Sequence, residues 1–129
     1  MKIVIYGRPI SKKNSKQLIP CRGRMIMISS KAYHQFRKDA LKQIVDHIQI
    51  APPYSVKYHF EMKGKFSTDI DNMIAGINDI FQEAGIISDD KHIWYIEAEK
   101  IGGFIEWKTI IEIETYATNT TEVERRDTF

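Results

Sequence analysis

Residues 54 to 64, YSVKYHFEMKG, decide how this chain folds, because apolar and polar side chains alternate along them. Successive side chains of an extended strand point to opposite faces of a sheet. One face of this segment therefore carries Val56, Tyr58, Phe60 and Met62. The pattern predicts a strand with one buried face, and the chain after it runs directly to Asp69.

Two strands and a helix are predicted before this strand. KIVIY (2–6) and RMIMI (24–28) are rich in β-branched and apolar residues, which is typical of strands. Ser29 or Ser30 is a suitable N-cap for a helix that ends before Pro52 and Pro53. Its apolar positions follow a helical period: Tyr33, Phe36, Ala40, Leu41, Ile44, Val45 and Ile48.

A second helix and two strands are predicted after residue 64. The helix begins at Asp71 and ends at Gly85, and its apolar face consists of Met73, Ile77, Ile80, Phe81 and Ala84. HIWYIEAEKI (92–101) and GFIEWKTIIEIET (103–115) indicate two strands that form a hairpin about a turn at Gly102 and Gly103. Residues 118–129 lack an apolar period and are predicted to be a loose C-terminal tail.

The predicted order ββαβαββ indicates a single α+β domain over residues 1–117, with two main helices and a mostly antiparallel or mixed sheet. The chain of 129 residues, 43% hydrophobic and 28% charged, has the composition of one soluble domain. No apolar run approaches the ~20 residues of a membrane span, so no membrane partner is expected. One cysteine, Cys21, fits a reducing compartment, and the predicted location is the cytoplasm.

Charge is distributed very unevenly along the chain. Residues 1–65 carry a net charge of +11, whereas residues 66–129 carry −9. The segment GRPISKKNSK (7–16) concentrates basic residues in a stretch that is unsuited to a helix or a core. A clustered basic surface favours a phosphate partner such as nucleic acid. The alternative is a solvated face whose charges pair with the acidic half after folding.

Two aspartate pairs flank the second predicted helix. Asp69 and Asp71 lie two residues apart where the chain enters it, so their side chains can point the same way. A helix N-cap explains Asp71 but leaves Asp69 without a role. The pair Asp89 and Asp90 follows the helix, and carboxylates this close would repel unless a cation neutralised them. Oxygen ligands of this kind suit Mg²⁺.

The motifs GRPISKKNSK, SSKAYHQFRKDAL, DIDNMI and EAGIISDDKHI follow one another as in the RusA-like Holliday-junction resolvases, which this chain resembles over residues 1 to 115. The resemblance implies a dimeric, Mg²⁺-dependent endonuclease, with Mn²⁺ as a substitute, that cuts four-way DNA junctions in recombination and repair. Such proteins are often encoded by phages and prophages. It implies that Asp69, Asp71 and Asp90 bind the metal and catalyse cleavage, with Asp89 as a neighbour that has a capping or a metal role.

The basic residues are then expected to hold DNA phosphates and to position the strand. The candidates are Arg8, Lys12, Lys13, Lys16, Arg22, Arg24, Lys65 and Lys91.

The chain departs from the family pattern at Ala75, where family members usually carry a lysine that could stabilise charge at the scissile phosphate. Either another cation takes this role, with Lys65 and Lys91 as candidates, or the protein is a slow or inactive junction-binding relative. Close packing at Ala75 and Gly76 is a further alternative. Flaps or replication forks also remain open as substrates.

Overall fold

The computed structural model, which describes residues 1–65 and 68–117, contains six strands and two α-helices in those ranges. The strands are β1 (Lys2–Tyr6), β2 (Lys16–Cys21), β3 (Arg24–Ser29), β4 (Tyr54–Lys63), β5 (Ile93–Phe104) and β6 (Lys108–Thr115). The helices are α1 (Lys31–Gln43) and α2 (Ile70–Ala84), and a 3-10 turn spans Asp90–His92. The α+β class with a mixed sheet is confirmed, whereas the predicted tail, 118–129, lies outside the described residues.

The predicted strand at residues 54 to 64 is β4, and it lies inside a four-stranded sheet of order β1-β6-β4-β5. It pairs in parallel with β5 on one side and antiparallel with β6 on the other. Strand β1 completes the sheet by pairing antiparallel with β6. Because helix α2 connects β4 to β5, the chain can return and start β5 in the same direction as β4.

The predicted hairpin about Gly102 and Gly103 is wrong. Strands β5 and β6 do not pair with each other but lie on opposite sides of β4. Both glycines belong to β5, where Gly103 has a φ of +94° and donates its N–H to the Gly64 carbonyl at 2.8 Å. The pair register shifts between Glu61 and Lys63 at this end of β4. Gly103 therefore allows an irregular end of the parallel pair, because a residue with a side chain is strained at this φ.

The core lies between one face of the sheet and the two helices. The alternating residues of β4 predicted to be buried are buried, and the α2 stripe packs against them. The main contributors are Val56, Tyr58, Phe60, Met73, Ile77, Ile80, Phe81, Ile111 and Ile113. Ala84, the last predicted stripe position, is partly buried against this core. The opposite face of β4 carries Lys57, His59 and Glu61, which are exposed or half-buried.

Helix α1 begins as predicted but ends early. The Ser30 hydroxyl accepts a hydrogen bond from the Tyr33 N–H at 3.1 Å, which confirms Ser30 as the N-cap. The helix ends at Gln43, and Val45 and Ile48 are 80% and 73% exposed instead of buried. The Gln43 amide exchanges two hydrogen bonds with the Tyr6 backbone, which ties the last helical turn to β1. The β-branched residues that follow are weaker helix formers and do not extend it.

The structure adds a strand that the sequence pattern did not predict. Strand β2 pairs antiparallel with β3 through a two-residue turn at Arg22 and Gly23, both of which have positive φ. Such a turn matches the twist of paired strands. Pro20 within KQLIPC argues against a strand in the sequence, but edge strands accept proline. The hairpin exposes apolar side chains such as Leu18, Met25 and Met27.

Candidate active site

The first aspartate pair lies at the start of α2. Asp69, and not Asp71, occupies the N-cap position, and its side chain makes no capping hydrogen bond. Asp71 lies in the first turn, where one of its carboxylate oxygens accepts the Asn72 N–H at 3.0 Å. Both carboxylates are exposed. The helix N-terminus therefore favours their negative charge while leaving oxygen lone pairs available to a ligand.

The second pair, Asp89 and Asp90, lies just before β5. Asp89 caps the 3-10 turn by accepting the Lys91 N–H at 3.0 Å, and this bond lowers the pKa of its carboxyl. Burial raises the pKa of Asp90, and the hydrogen bond and charge of Asp89 and the charge of Asp79 raise it further. Two carboxylates thus lie close enough to oppose each other's ionisation, and a nearby cation would relieve this repulsion.

The structure does not gather the four carboxylates into one cluster. Asp90 lies near Asp79 in the middle of α2, and Asp79 follows Asp71 by about 12 Å along the helix axis. Within residues 1–65 and 68–117, no group of three or more acidic, histidine or cysteine side chains is arranged to hold a metal ion. The donors fit Mg²⁺ chemistry as two separate pairs, because Mg²⁺ commonly takes one or two carboxylates plus water and phosphate oxygens.

The basic segment, residues 8–16, which we call the arm, packs across α2. The Lys12 N–H donates to the Asp79 carboxylate at 3.1 Å, and the Asn14 side-chain amide donates to the Asn72 side-chain oxygen. Ser11 is buried, and its hydroxyl accepts the Asn14 N–H at 3.2 Å. The lysines at 12, 13 and 16 remain exposed. The arm is therefore fixed on the helix whose first turn carries Asp71.

Gly76 explains how the arm approaches the helix so closely. A Cβ atom at this position would lie 2.9 Å from the Ile10 backbone nitrogen and 3.1 Å from its carbonyl oxygen. Only glycine accommodates this contact without a backbone shift. The interpretation that residues 75 and 76 serve close packing is thus confirmed for Gly76. Ala75 is partly buried beside it, four residues after Asp71.

The other basic candidates are distributed over several elements. Arg22 and Arg24 lie at the turn of the β2–β3 hairpin and are exposed. The Arg8 guanidinium lies over the Trp107 ring, 5.9 Å from its centroid. Lys65 follows β4 on the way to α2, and Lys91 lies beside Asp89. These positions do not form one continuous track along a single element.

Lys100 lies beside the first aspartate pair, and no sequence motif indicated it. Its ammonium group donates to the Thr68 carbonyl at 2.8 Å, and Thr68 directly precedes Asp69. Lys100 pairs with the buried Phe60 across the parallel strands. It therefore lies on the same side of β5 as Ile96 and Ala98, which also pair with buried residues of β4. A lysine on an otherwise apolar side was the signal that could have drawn attention to it.

The comparisons with known proteins do not extend this picture. A scan against known protein-family models and a search of curated proteins both found no match to this chain. Among the described residues, no helix has the length and apolar character needed to span a bilayer.

Proposed function

We propose that this protein is a Mg²⁺-dependent, structure-selective endonuclease that acts on branched DNA, chiefly four-way junctions. The observation that carries the proposal is the packing of the arm on α2. It joins a group of exposed lysines to the helix that begins with two exposed carboxylates. Phosphate binding and metal binding on one rigid unit are what hydrolysis of a DNA backbone requires.

The exposed lysines of the arm would hold backbone phosphates on either side of the cleaved bond. Lys12, Lys13 and Lys16 supply this charge, and Arg22 and Arg24 extend it onto the hairpin. Such contacts add affinity and fix the position of the strand, but they read little sequence. Selectivity would then depend on the shape of the branched DNA.

Each aspartate pair, Asp69 with Asp71 and Asp90 with its neighbour Asp89, would hold metal together with water and phosphate oxygens, and Mn²⁺ is a chemically similar substitute. When bound, Mg²⁺ supplies Lewis-acid stabilisation of phosphate charge and a more acidic water. The chain contributes carboxylate oxygens near the end of a helix that favours negative charge. A cation bound beside Asp90 would relieve its repulsion with the adjacent Asp89 carboxylate, which supports a ligand role for this pair.

A homodimer would match the symmetry of the substrate. A four-way junction contains two equivalent strands to cut, and a C2 dimer presents two identical sites. In this proposal the protein acts in the cytoplasm on DNA intermediates of recombination and repair.

Ala75 favours a second candidate function. Without a lysine on the first turns of α2, the protein could bind junctions but cleave them slowly or not at all. The absence of a metal-binding group of three or more acidic side chains among the described residues also fits a protein that binds junctions without cutting them.

The decisive experiment is cleavage of matched synthetic four-way junctions, forks, flaps and linear duplexes with Mg²⁺ titrated from zero. We expect paired cuts in four-way junctions that depend on Mg²⁺. Binding without cutting at any Mg²⁺ or Mn²⁺ concentration would favour the inactive relative. Faster cutting of forks or flaps would change the substrate class.

A further inference from the structure

Lys100 brings a positive charge to the segment that carries Asp69. Its ammonium group reaches across from β5 to the Thr68 carbonyl, 2.8 Å away, over a separation of 32 residues. The next residue is the N-cap of α2, whose carboxylate makes no capping bond. An ammonium group has three N–H donors, and this contact uses one of them. The remaining donors are available to a ligand, because Lys100 is exposed.

The two cations suggested by the sequence are placed differently. Lys91 lies before β5 and beside Asp89, and the strand rises about 23 Å between Ile93 and Lys100. Lys91 therefore belongs to the second aspartate pair. Lys65 is an exposed residue in the connection between β4 and α2. Lys100, by contrast, is held at this end of α2 by a defined hydrogen bond.

We infer that Lys100 is the cation of the Asp69–Asp71 pair and that it binds a phosphate oxygen of the DNA strand held there. This inference rests on the proposed nuclease function. One N–H of the ammonium group fixes the Thr68 carbonyl, and the others meet the phosphate. Lys100 thus supplies the charge that Ala75 cannot. Because it extends from a strand instead of the helix, it approaches the acids from the sheet side.

Four variants test the role of Lys100. Lys100→Ala should lower single-turnover cleavage of a four-way junction about tenfold or more, while Lys100→Arg should retain most activity because it keeps the charge. Introducing Ala75→Lys into Lys100→Ala should restore cleavage, since position 75 lies one turn after Asp71. Lys57→Ala is the matched control, an exposed lysine on the opposite face of the same sheet.

A binding measurement separates phosphate contact from a structural role. Removing one phosphate-binding cation reduces the log-log salt slope of binding by about 0.9 on duplex DNA. Lys100→Ala should show this reduction, whereas Lys57→Ala should not. Thermal melting of each variant reports whether the fold is intact.

The outcomes distinguish this inference from the proposed function. If the parent protein cuts junctions and Lys100→Ala cuts equally well with an unchanged salt slope, Lys100 has no such role and only this inference fails. A loss of cleavage that Lys100→Arg and Ala75→Lys do not recover, with a lowered melting temperature, would also overturn it. If the parent protein neither binds nor cuts branched DNA, the proposed function fails and the inference fails with it.

Discussion

At the scale of single residues, the two aspartates at the start of α2 make different contacts. Asp69 stands at the N-cap, yet its carboxylate makes no cap hydrogen bond, while Asp71 contacts the adjacent Asn72 N–H. N-cap aspartates usually accept N–H groups of the first turn. The Asp69 carboxylate therefore makes no capping bond that would compete with the proposed role as a metal ligand.

Asp71→Asn should abolish junction cleavage while leaving junction binding unchanged or tighter. The amide cannot replace an anionic oxygen ligand, and removing a negative charge near DNA phosphates reduces repulsion. Cleavage gels and gel-shift titrations measure the two effects. Asp39→Asn on the exposed side of α1, far from the pair in sequence, serves as control.

Asp90→Asn should behave like Asp71→Asn, and unimpaired nicking by either variant would remove that aspartate from the site.

His59 should make the stability of the domain depend on pH. A hydrogen bond to Glu99 raises the pKa of its imidazole, partial burial opposes this, and Glu61 adds to the increase. A raised pKa means that the folded state binds the proton more tightly. The stabilisation is therefore complete below about pH 6.5 and is lost as the pH rises through the raised value.

The destabilisation caused by His59→Gln should be larger at pH 6 than at pH 8.5, measured by thermal melting. The difference should not exceed about 1 kcal/mol, because Glu99 is 65% exposed and solvent screens the pair. Glu99→Gln should also make the stability of the domain depend less on pH, because it removes the main partner of His59. Equal destabilisation at both pH values would show that the ion pair does not contribute.

Among secondary-structure elements, the arm and α2 behave as one unit. Contacts at Gly76, Asn72 and Asp79 are spaced along one side of the helix, and together they align the arm with it. The charge of the arm is thereby held at a defined place relative to Asp71. Precise placement of binding groups relative to the reacting bond is a major source of catalytic rate.

Gly76→Ala should destabilise the domain even though alanine is the better helix former. Propensity alone would stabilise the helix by about 1 kcal/mol. The new Cβ would lie 2.9 Å from the Ile10 nitrogen, so the backbone of the arm must move. We expect a net loss of about 1 to 3 kcal/mol in urea denaturation. Ala75→Gly measures the propensity at the neighbouring position, and a gain in stability for Gly76→Ala would contradict the close packing.

Reversing Lys12 and Lys13 to Glu should weaken binding to all DNA shapes and flatten its salt dependence. Each lysine that no longer neutralises a phosphate lowers the log-log slope by about 0.9 on duplex DNA. The double variant Lys38→Glu, Lys42→Glu on α1 changes the net charge equally and is the control. Binding at a series of salt concentrations measures the slope. If both double variants change it alike, the arm is an ordinary solvated segment and not a specific phosphate-binding element.

Across the domain as a whole, the lysines of the arm and a glutamate-rich face of the sheet lie in different places. The face of the sheet away from the helices carries Glu97, Glu99 and Glu112 beside Lys57 and His59. The arm and its lysines lie over α2 instead. In the proposed function, DNA would be attracted to the arm and repelled from much of the opposite sheet face, which would restrict the orientation of binding.

A dimer with two identical sites should cut a junction twice, whereas a dimer with one inactive subunit should cut it once. Differently tagged parent and Asp71→Asn chains can be co-expressed and the mixed dimer purified. On a plasmid that carries a cruciform, the parent dimer should yield linear DNA and the mixed dimer nicked circles. Light scattering should give twice the 15.1 kDa chain mass. A monomer mass, or linear product from the mixed dimer, would contradict the proposed symmetry.

The order of residues by itself determined the elements with strong local periods. The alternation in β4, the apolar stripe of α2 and the Ser30 cap were each predictable, because they depend on side chains within a few positions of one another. Tertiary structure alone decided that β5 and β6 flank β4, that the arm packs on Gly76, and that Lys100 meets Thr68. It also left the four aspartates without a metal-binding group of three or more acidic side chains in the part of the chain that the structure describes. These features join residues distant in sequence, and such contacts depend on the path of the whole chain through the sheet, which no local period encodes.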